Sequence, residues 1–458
     1  MATELKEALT AAGTTALIPK VIDPELLDYQ RRYSPLVKAT PSKQINTTDY
    51  YFNQLTNRVA GGFVSDGGAR PVANSSYVQN KFTVKNMQAV GGVTGYAQKV
   101  TQDVIGDLLA QEIENTIQGQ YWDIETGMLW GNASATQNGP WPQFDGLDSL
   151  LNQYSGSAQN VIAGAGALLT LSMLNQLIDL AETQAAMSVF NSQWMIVGSN
   201  TAFSMVAGLF TNQQRFMGEV EVAAGLIVPS YRDIPLVKTS FLGTHGVQFG
   251  AVTATPAATG GTLATGVYKY QVSAIIARSG ETIACTEVSA TTTANTSTVT
   301  LAFTTPSGQD SAAPIGFKVY RTALGGGTGT ETLLGYVDAV VGVGADGITP
   351  IYATSIVDTG SALVPQNGAT VPGVLPTAYY GTQAGAKPRT AANIEDLYLV
   401  PRDKNFMVRP YVRETEPVEV SPTVTSPDTL PFAMVTDTCL AVRAPKYLSK
   451  LANVQIQL

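Results

Sequence analysis

Few residues of this 458-residue chain are of a type and spacing that could do chemistry. The single histidine, His245, lies in LGTHGVQ with no acid or cysteine beside it, so it lacks both the partner of a general base and a set of metal ligands. The two thiols, Cys285 and Cys439, are far apart in sequence and form no zinc or redox spacing. Two buried free cysteines in a reducing compartment are the expectation. Gly325, Gly326 and Gly327 precede Thr328 without the Lys-Ser/Thr pair or the helix that a phosphate cradle needs, and read as a hairpin loop. Glu112, Glu114, Asp123 and Glu125 crowd one segment, but their spacing scatters them around a helix instead of pairing two carboxylates. They read as a solvated or intersubunit polar face. No catalytic, cofactor-binding or metal-binding residue is assigned, and the chain reads as a non-enzyme.

Those carboxylates stand on the longest element in the sequence. Ile105, Leu109, Ile113, Ile117, Tyr121, Ile124 and Met128 recur in steps of three and four, which predicts one amphipathic helix over 101–131. Thr101 is placed to cap it, Asp103 and Asp107 suit the positive end of its dipole, and Gly131 with Asn132 suits its end. Such a helix would be roughly 40–45 Å long. It cannot stand alone and must be backed by sheets or neighbouring chains.

Charged residues make up only 14% of the chain, against about 25% in ordinary domains. A surface so poor in charge is expected to be largely covered. The net charge of −8 argues against a grip on nucleic acid, which needs clustered Lys and Arg; any DNA partner would be enclosed. The first residues, MATELKEALTAAG, have no apolar core of signal length, and no run approaches the ~18 apolar residues of a membrane span. The expected product is soluble, made in the cytoplasm and free of membrane contact.

Read in order, residues 1–45 are chopped by Pro19, Pro24, Pro35 and Pro41, with Leu26, Tyr29 and Tyr33 on one side of a two-turn helix. This segment reads as an arm lying on something larger. Residues 47–100 are extended, with a Gly-rich polar tip near 66–73, and predict a long hairpin followed by a strand reaching Val100. After the long helix comes a loop with Trp141 as its anchor. A helix opened by Thr170, the buried strand QWMIVG, a helix capped by Asn200 and two further strands form an α/β region. Residues 251–376 lose the helical period and offer short strands, GVYKYQVSAII, STVTLAF, FKVYRT, ETLLGYV and ATSIVD, which predict an inserted β-sandwich. Strands return after Asn393 and must complete the sheet interrupted by the insertion.

The order of these pieces resembles the major capsid proteins of tailed bacteriophages, the Hong Kong 97 fold. The pieces are SDGGARP at the hairpin tip, FTVKNMQAVGGVTGYAQKVTQDV leading to the helix, MLWGN and FDGL after it, LIDLA, QWMIVGSNTAF, IPLVKTSFL and the closing LAVRAPKYLSKL. The insertion is similar to fibronectin-III or bacterial immunoglobulin-like modules, although its Tyr-x-Tyr-x-Val strand precedes its Phe-Lys-Val-Tyr-Arg strand, the reverse of ordinary fibronectin modules. The fold class implied is α+β, with an N-terminal arm at 1–45, an extended loop at 46–80, a peripheral-domain strand and spine helix at 81–144, an axial domain at 145–250, the Ig-like sandwich at 251–376 and a return segment at 377–458.

The resemblance implies a shell-forming structural protein of a virion, assembled in the host cytoplasm from hexamers and pentamers around double-stranded DNA, without cofactors. A chain beginning at Met1 with no removed pro-segment implies a separate scaffolding protein, and a portal protein and a cement or decoration protein are further implied partners. Residues 59–80 contain Arg70 but no Lys, so a non-covalent shell is expected. The expected intersubunit contacts are Asp66, Arg70 and Pro71 on the loop, Leu26 and Tyr29 on the arm, and Glu112 and Glu114 on the helix. The insertion is expected to face outward as a dispensable decoration, with sugar binding by Tyr268, Tyr270 and Tyr320 the weaker alternative to a core role for them. Two rival readings are an encapsulin compartment and a surface adhesin carrying the β-module.

Overall fold

Four larger β-sheets, a two-stranded hairpin and one long helix organise the described residues. The computed structural model describes residues 34–59, 62–69, 74–102, 107–137, 139–154, 160–185, 188–189, 193–212, 218–223, 226–307, 312–366, 387–420 and 428–457. The long helix is Leu108–Trp130, capped by Asp107, whose carboxylate accepts from the Ala110 N–H at 3.1 Å. The expected start at Thr101 is therefore corrected. Thr101 instead ends a separate helix, Gly95–Thr101, capped by the Thr94 hydroxyl, which accepts from the Ala97 N–H at 3.2 Å. Two side-chain caps thus divide a run whose apolar period alone suggested a single helix. They also stop the preceding strand at Thr94.

The helix packs on a sheet of Ser42–Gln44, Met407–Glu419, Thr429–Thr438 and Lys85–Thr94, in that order, with Ala441–Val442 beside Met407–Glu419. Gln120 is buried at this seam, and its amide donates to the carbonyls of Met87 at 3.2 Å and Met434 at 3.1 Å, one on each of two adjacent strands. Only the second half of the apolar stripe is fully covered. Ile124, Met128, Leu129 and Trp130 are buried, whereas Ile113, Ile117 and Tyr121 are half exposed. Before this sheet comes the hairpin, Asp49–Asn57 against Ser76–Thr83, antiparallel from Asp49 opposite Thr83 to Leu55 opposite Tyr77. Its base is fixed by Phe52 stacked on Phe82, against Val408 and Ala441.

A seven-stranded sheet forms the second body, in the order Val161–Ala163, Ser449–Gln455, Ile394–Pro401, Trp194–Gly198, Ile234–Lys238, Leu226–Tyr231, Gly218–Ala223. The two C-terminal strands lie inside it, so the chain crosses the insertion and returns to finish one sheet. Helices Leu171–Ala185 and Asn200–Asn212 pack on it through Leu174, Ile178, Ala181, Phe203 and Val206. Ser199, not Asn200, caps the second helix, its hydroxyl accepting from the Ala202 N–H at 3.0 Å. Asn200 is the first helical residue. A helix at Leu147–Tyr154 and the strand Gly218–Ala223 escape a reading by apolar period because both are short.

The insertion is a two-sheet β-sandwich. One sheet runs Gly243–Gln248, Gly280–Ile283, Gly266–Ile276, Pro314–Arg321, Thr332–Asp338, with Val288–Thr292 also on Gly266–Ile276. The other runs Val252–Ala257, Thr298–Phe303, Ser355–Asp358, Leu363–Gln366. Phe249, Phe303 and Phe317 meet between the sheets with ring centroids 5.1 to 6.1 Å apart. The Tyr-x-Tyr-x-Val and Phe-Lys-Val-Tyr-Arg strands are immediate antiparallel neighbours, with Tyr270 opposite Arg321. Since Gly243–Gln248 is part of this sheet, the insertion begins before residue 251.

Candidate assembly surfaces

The residues expected to touch neighbouring subunits fall into two groups. Asp66 is exposed at the hairpin tip, and Glu112 and Glu114 are exposed on the first half of the long helix. Among the described residues no hydrogen bond or ion pair engages these three carboxylates. Leu26, Tyr29, Arg70 and Pro71 lie outside the described residues. The hairpin carries large apolar side chains in the open: Tyr51, Leu55, Tyr77 and Val78 along its arms, and Phe63 fully exposed at its tip. Glu114 stands on the rim of a cleft of about 730 Å³ between the segment after Ser34, the long helix and Arg409.

The other two carboxylates of the helix do not share that polar face. Asp123 makes a bidentate ion pair with Arg278 of the insertion, at 2.7 and 2.8 Å. Arg278 itself sits in a turn at φ +59° and donates its N–H to the Thr126 hydroxyl at 3.1 Å. Glu125 is fully buried, which corrects the expected solvated or intersubunit position. Its carboxyl accepts from the Leu36 N–H at 3.0 Å and from the Thr239 hydroxyl at 2.6 Å. Burial pushes it up to about 8, against the opposing pull of those donors. The signal was in the sequence: Glu125 is four residues after Tyr121 and four before Leu129, on the apolar side of the helix.

A second buried constellation, which sequence reasoning missed, joins the insertion to the rest. Lys318 reaches Asp148 at 3.0 Å and Glu281 at 3.1 Å, and Lys450 reaches Asp148 at 2.9 Å and Asp396 at 2.7 Å. Tyr320 donates to Glu281 at 2.8 Å and Tyr398 to Asp148 at 3.2 Å. Burial alone would raise Asp148, but Lys318 and Lys450 hold it well below the usual carboxylate range. These pairs are separated by 37 to 302 residues in sequence and no local spacing announces them. The same junction shares apolar core: Ile275, Tyr320, Leu333 and Tyr336 of the insertion pack with Trp130 and Leu147. Tyr268, Tyr270 and Tyr320 are all buried, so none offers an aromatic platform to a sugar.

The loop after the long helix is held differently from the expectation. Trp141 is 44% exposed, not the buried anchor expected. Gln143 and Asp145 instead accept the N–H groups of Asn132 and Ala133, at 3.2 and 3.0 Å. The Gly146 N–H donates to the Gly131 carbonyl at 2.8 Å, which brings the MLWGN and FDGL pieces together. Among the described residues no cluster of three potential metal ligands occurs, and no helix is long and apolar enough to cross a membrane. Both cysteines are free and buried, with burial raising Cys285 to about 11 and Cys439 to about 12.

This arrangement, an extended hairpin, a helix on a small sheet and a helix-covered sheet, has a counterpart among known families. Residues 22–247 match the model of the SU10 major capsid protein. That match takes in 226 of the 458 residues, just under half of the chain. By it the chain is a major capsid protein of the tailed-bacteriophage type. A comparison with curated proteins finds no match. Among solved structures, the chain is similar to the holo-SrpI encapsulin complex from Synechococcus elongatus PCC 7942, at a TM-score of 0.48 and 9% identity, covering 98% of each chain. It is similar to a chain of Gordonia phage Cozz at 0.47 and 9%, covering 100% of this chain and 97% of that one. The capsid of Myoviridae Phage XM1 follows at 0.45 and 8%, covering 94% and 96%. The assignment rests on the family match and not on these superpositions.

Proposed function

We propose that copies of this capsid protein gather into hexamers and pentamers of an icosahedral shell enclosing double-stranded DNA, with each hairpin lying over an adjacent subunit. The observation that carries this reading is the hairpin. Tyr51, Tyr77 and Phe63 are 54%, 71% and 107% exposed within one chain, on a two-stranded arm that pairs with no further strand. An isolated two-stranded arm of this kind is marginal in water until a partner covers it. The role is structural, not enzymatic, and localisation follows from it: a virion component assembled in the host cytoplasm, with a scaffolding protein, a portal protein and a cement or decoration protein as proposed partners. The DNA is enclosed without sequence reading, as the net charge of −8 suits.

The absence of Lys from 59–80 supports a non-covalent shell. Denatured particles should then run as single chains on a gel, and a ladder of cross-linked multimers would overturn that part. Arg70 remains a proposed contact, which an Arg70→Glu chain that assembles normally would remove. The insertion is proposed to face the outside and to be of the immunoglobulin or fibronectin-III class. Negative-stain images of purified protein test the main reading: closed shells are expected, and a protein that never assembles would overturn it. Particles filled with protein and lacking DNA would favour a compartment, and recovery at the cell surface an adhesin.

A further inference from the structure

Four cations gather in one row on a chain that is acidic overall. Lys43 and Arg443 share the ring of Tyr50, at 5.5 and 5.4 Å from its centroid, and the Arg443 guanidinium donates to the Tyr50 hydroxyl. The Arg443 N–H donates to the Phe406 carbonyl at 2.7 Å, which brings up the turn that carries Lys404. The Phe406 ring packs edge-on against Tyr447 at 5.1 Å, and Lys446 lies 5.2 Å from the same Tyr447 ring. Lys43, Lys404 and Lys446 are exposed and Arg443 is half buried. Among the described residues no ion pair engages any of the four. Asp49 and Asp403, the acids that adjoin Tyr50 and Lys404, are already engaged, the first by Lys81 and Thr83 and the second by the Asn405 N–H. Like charges held around one ring repel each other, and a phosphate between them removes that repulsion. Cations in a row with aromatic rings between them are the electrostatic footprint of a surface that meets nucleic acid.

The fold sets this row on the side away from the insertion. In the seven-stranded sheet, Met195, Val197 and Tyr398 turn to the core shared with the insertion, and Trp194, Ile196 and Leu397 turn to the opposite core, against which Tyr447 packs. In the sheet under the spine helix, Ser42 and its partner Arg409 line the cleft on the helix side, so Lys43, one residue on, projects from the other face. The helix side is also the insertion's side, through Asp123 and Arg278. We propose that the row Lys43, Arg443, Lys404 and Lys446 is the surface of the capsid protein that meets the phosphates of the enclosed double-stranded DNA. The inference rests on the shell reading with the insertion outward, and it gives the subunit its inner side. Four contacts on a chain of net charge −8 make a weak hold that reads no sequence, and such a hold lets DNA slide as it fills the shell.

Fluorescence anisotropy of a short labelled duplex of random sequence, titrated with unassembled capsid protein, tests the row. Binding should weaken roughly hundredfold between about 50 and 200 mM salt, at about 0.9 of logarithmic slope per phosphate contact. Lys446→Ala should lower that slope by about 0.9, and the Lys43→Glu/Lys404→Glu/Lys446→Glu triple variant, changed only at exposed positions, should lose the binding. Wild-type protein that closes into particles but shows no salt-dependent duplex binding, or a triple variant that binds as the wild type does, would overturn the proposal and leave the shell reading standing. Polyglutamate that displaces the duplex at equal charge would assign the row to an acidic protein segment and overturn it as well. Wild-type protein that forms no particles would instead strike the shell reading and the inference with it. As a second measurement, an amine reagent too bulky to enter intact particles should spare all three lysines there and label them after dissociation. Labelling of the three in intact particles would overturn the inward face.

Discussion

Glu125 of the spine helix holds the backbone N–H of Leu36 at 3.0 Å, and both residues are fully buried. A single carboxyl thus ties the segment that leads out of the arm to the helix and, through Thr239, to the end of strand Ile234–Lys238. The folded chain keeps the Glu125 proton to about pH 8, whereas an unfolded glutamate loses it near 4.5. The stability from this group is therefore complete below about 4.5 and declines as pH rises to about 8. Asp338, raised to about 7 by burial, acts in the same sense. Glu125→Gln can keep both contacts, its oxygen accepting from Leu36 and its amide donating to Thr239. Urea unfolding should show wild-type stability falling between pH 5 and 8 by a few kcal/mol, at about 1.4 per pKa unit, with a flatter profile in the variant. Parallel profiles would remove Glu125 as the titrating group.

Lys318 is shared between Asp148 and Glu281 with almost no access to water. Lys318→Met preserves length and removes the charge, leaving Glu281 to Tyr320 and Ser273 and Asp148 to Lys450 and Tyr398. Breaking a buried pair from one side typically costs about 3–5 kcal/mol, and that loss is expected here in chemical unfolding. The ammonium also lies 4.6 Å from the Trp130 ring, so the Trp fluorescence should change with it. A loss below about 1 kcal/mol would mean that the junction is wetter than its burial indicates.

Gly146 has no room for a side chain. A Cβ there would lie 2.6 Å from the Gly127 carbonyl oxygen and 2.7 Å from the Gly131 nitrogen, both of them backbone. Gly146→Ala must push the loop off the end of the spine helix and break the Gly146 to Gly131 hydrogen bond. The expected cost is on the order of 2–4 kcal/mol, read as a lower urea midpoint at unchanged slope. Gly166→Ala is the comparison: its φ of +77° strains any side chain, but nothing lies within 4 Å, so its loss should be the smaller.

What could be read from the chain alone follows the range of the forces involved. The hairpin, the buried strand Trp194–Gly198 and the main sandwich strands are marked by local period and lie where it puts them, and the spine helix ends where expected but starts seven residues late, at Leu108. Helix starts differ from the expected Thr101 and Asn200 because Asp107 and Ser199 cap instead, and the hydroxyl of Thr94 starts a further short helix that the apolar period does not mark. The surface carboxylates Asp66, Glu112 and Glu114 stand exposed because nothing local demands otherwise. Glu125, Asp148, Lys318 and Arg409 are a different case. Each is a charged type whose burial is decided by partners from distant segments, and one sequence records no such pairing.

The insertion itself carries the last prediction. Its sequence, with turn-rich flanks, suggests a decoration that can be cut away, but the structure makes its base part of the common core. Removing 251–376 would strip Lys318 and Glu281 from Asp148 and Lys450, take Arg278 from Asp123, and uncover Trp130 and Leu147 where Ile275, Tyr320 and Tyr336 now pack. It would also leave the strand Gly243–Gln248 without its partner Gly280–Ile283. The deletion should therefore yield insoluble chain. Replacing only the exposed turn at 344–349, where Ile348 is 78% exposed, should leave solubility and particle yield unchanged. Soluble, assembling deletion chains would mean that the capsid folds before the insertion docks, and that the buried charges at the junction can be re-satisfied by water.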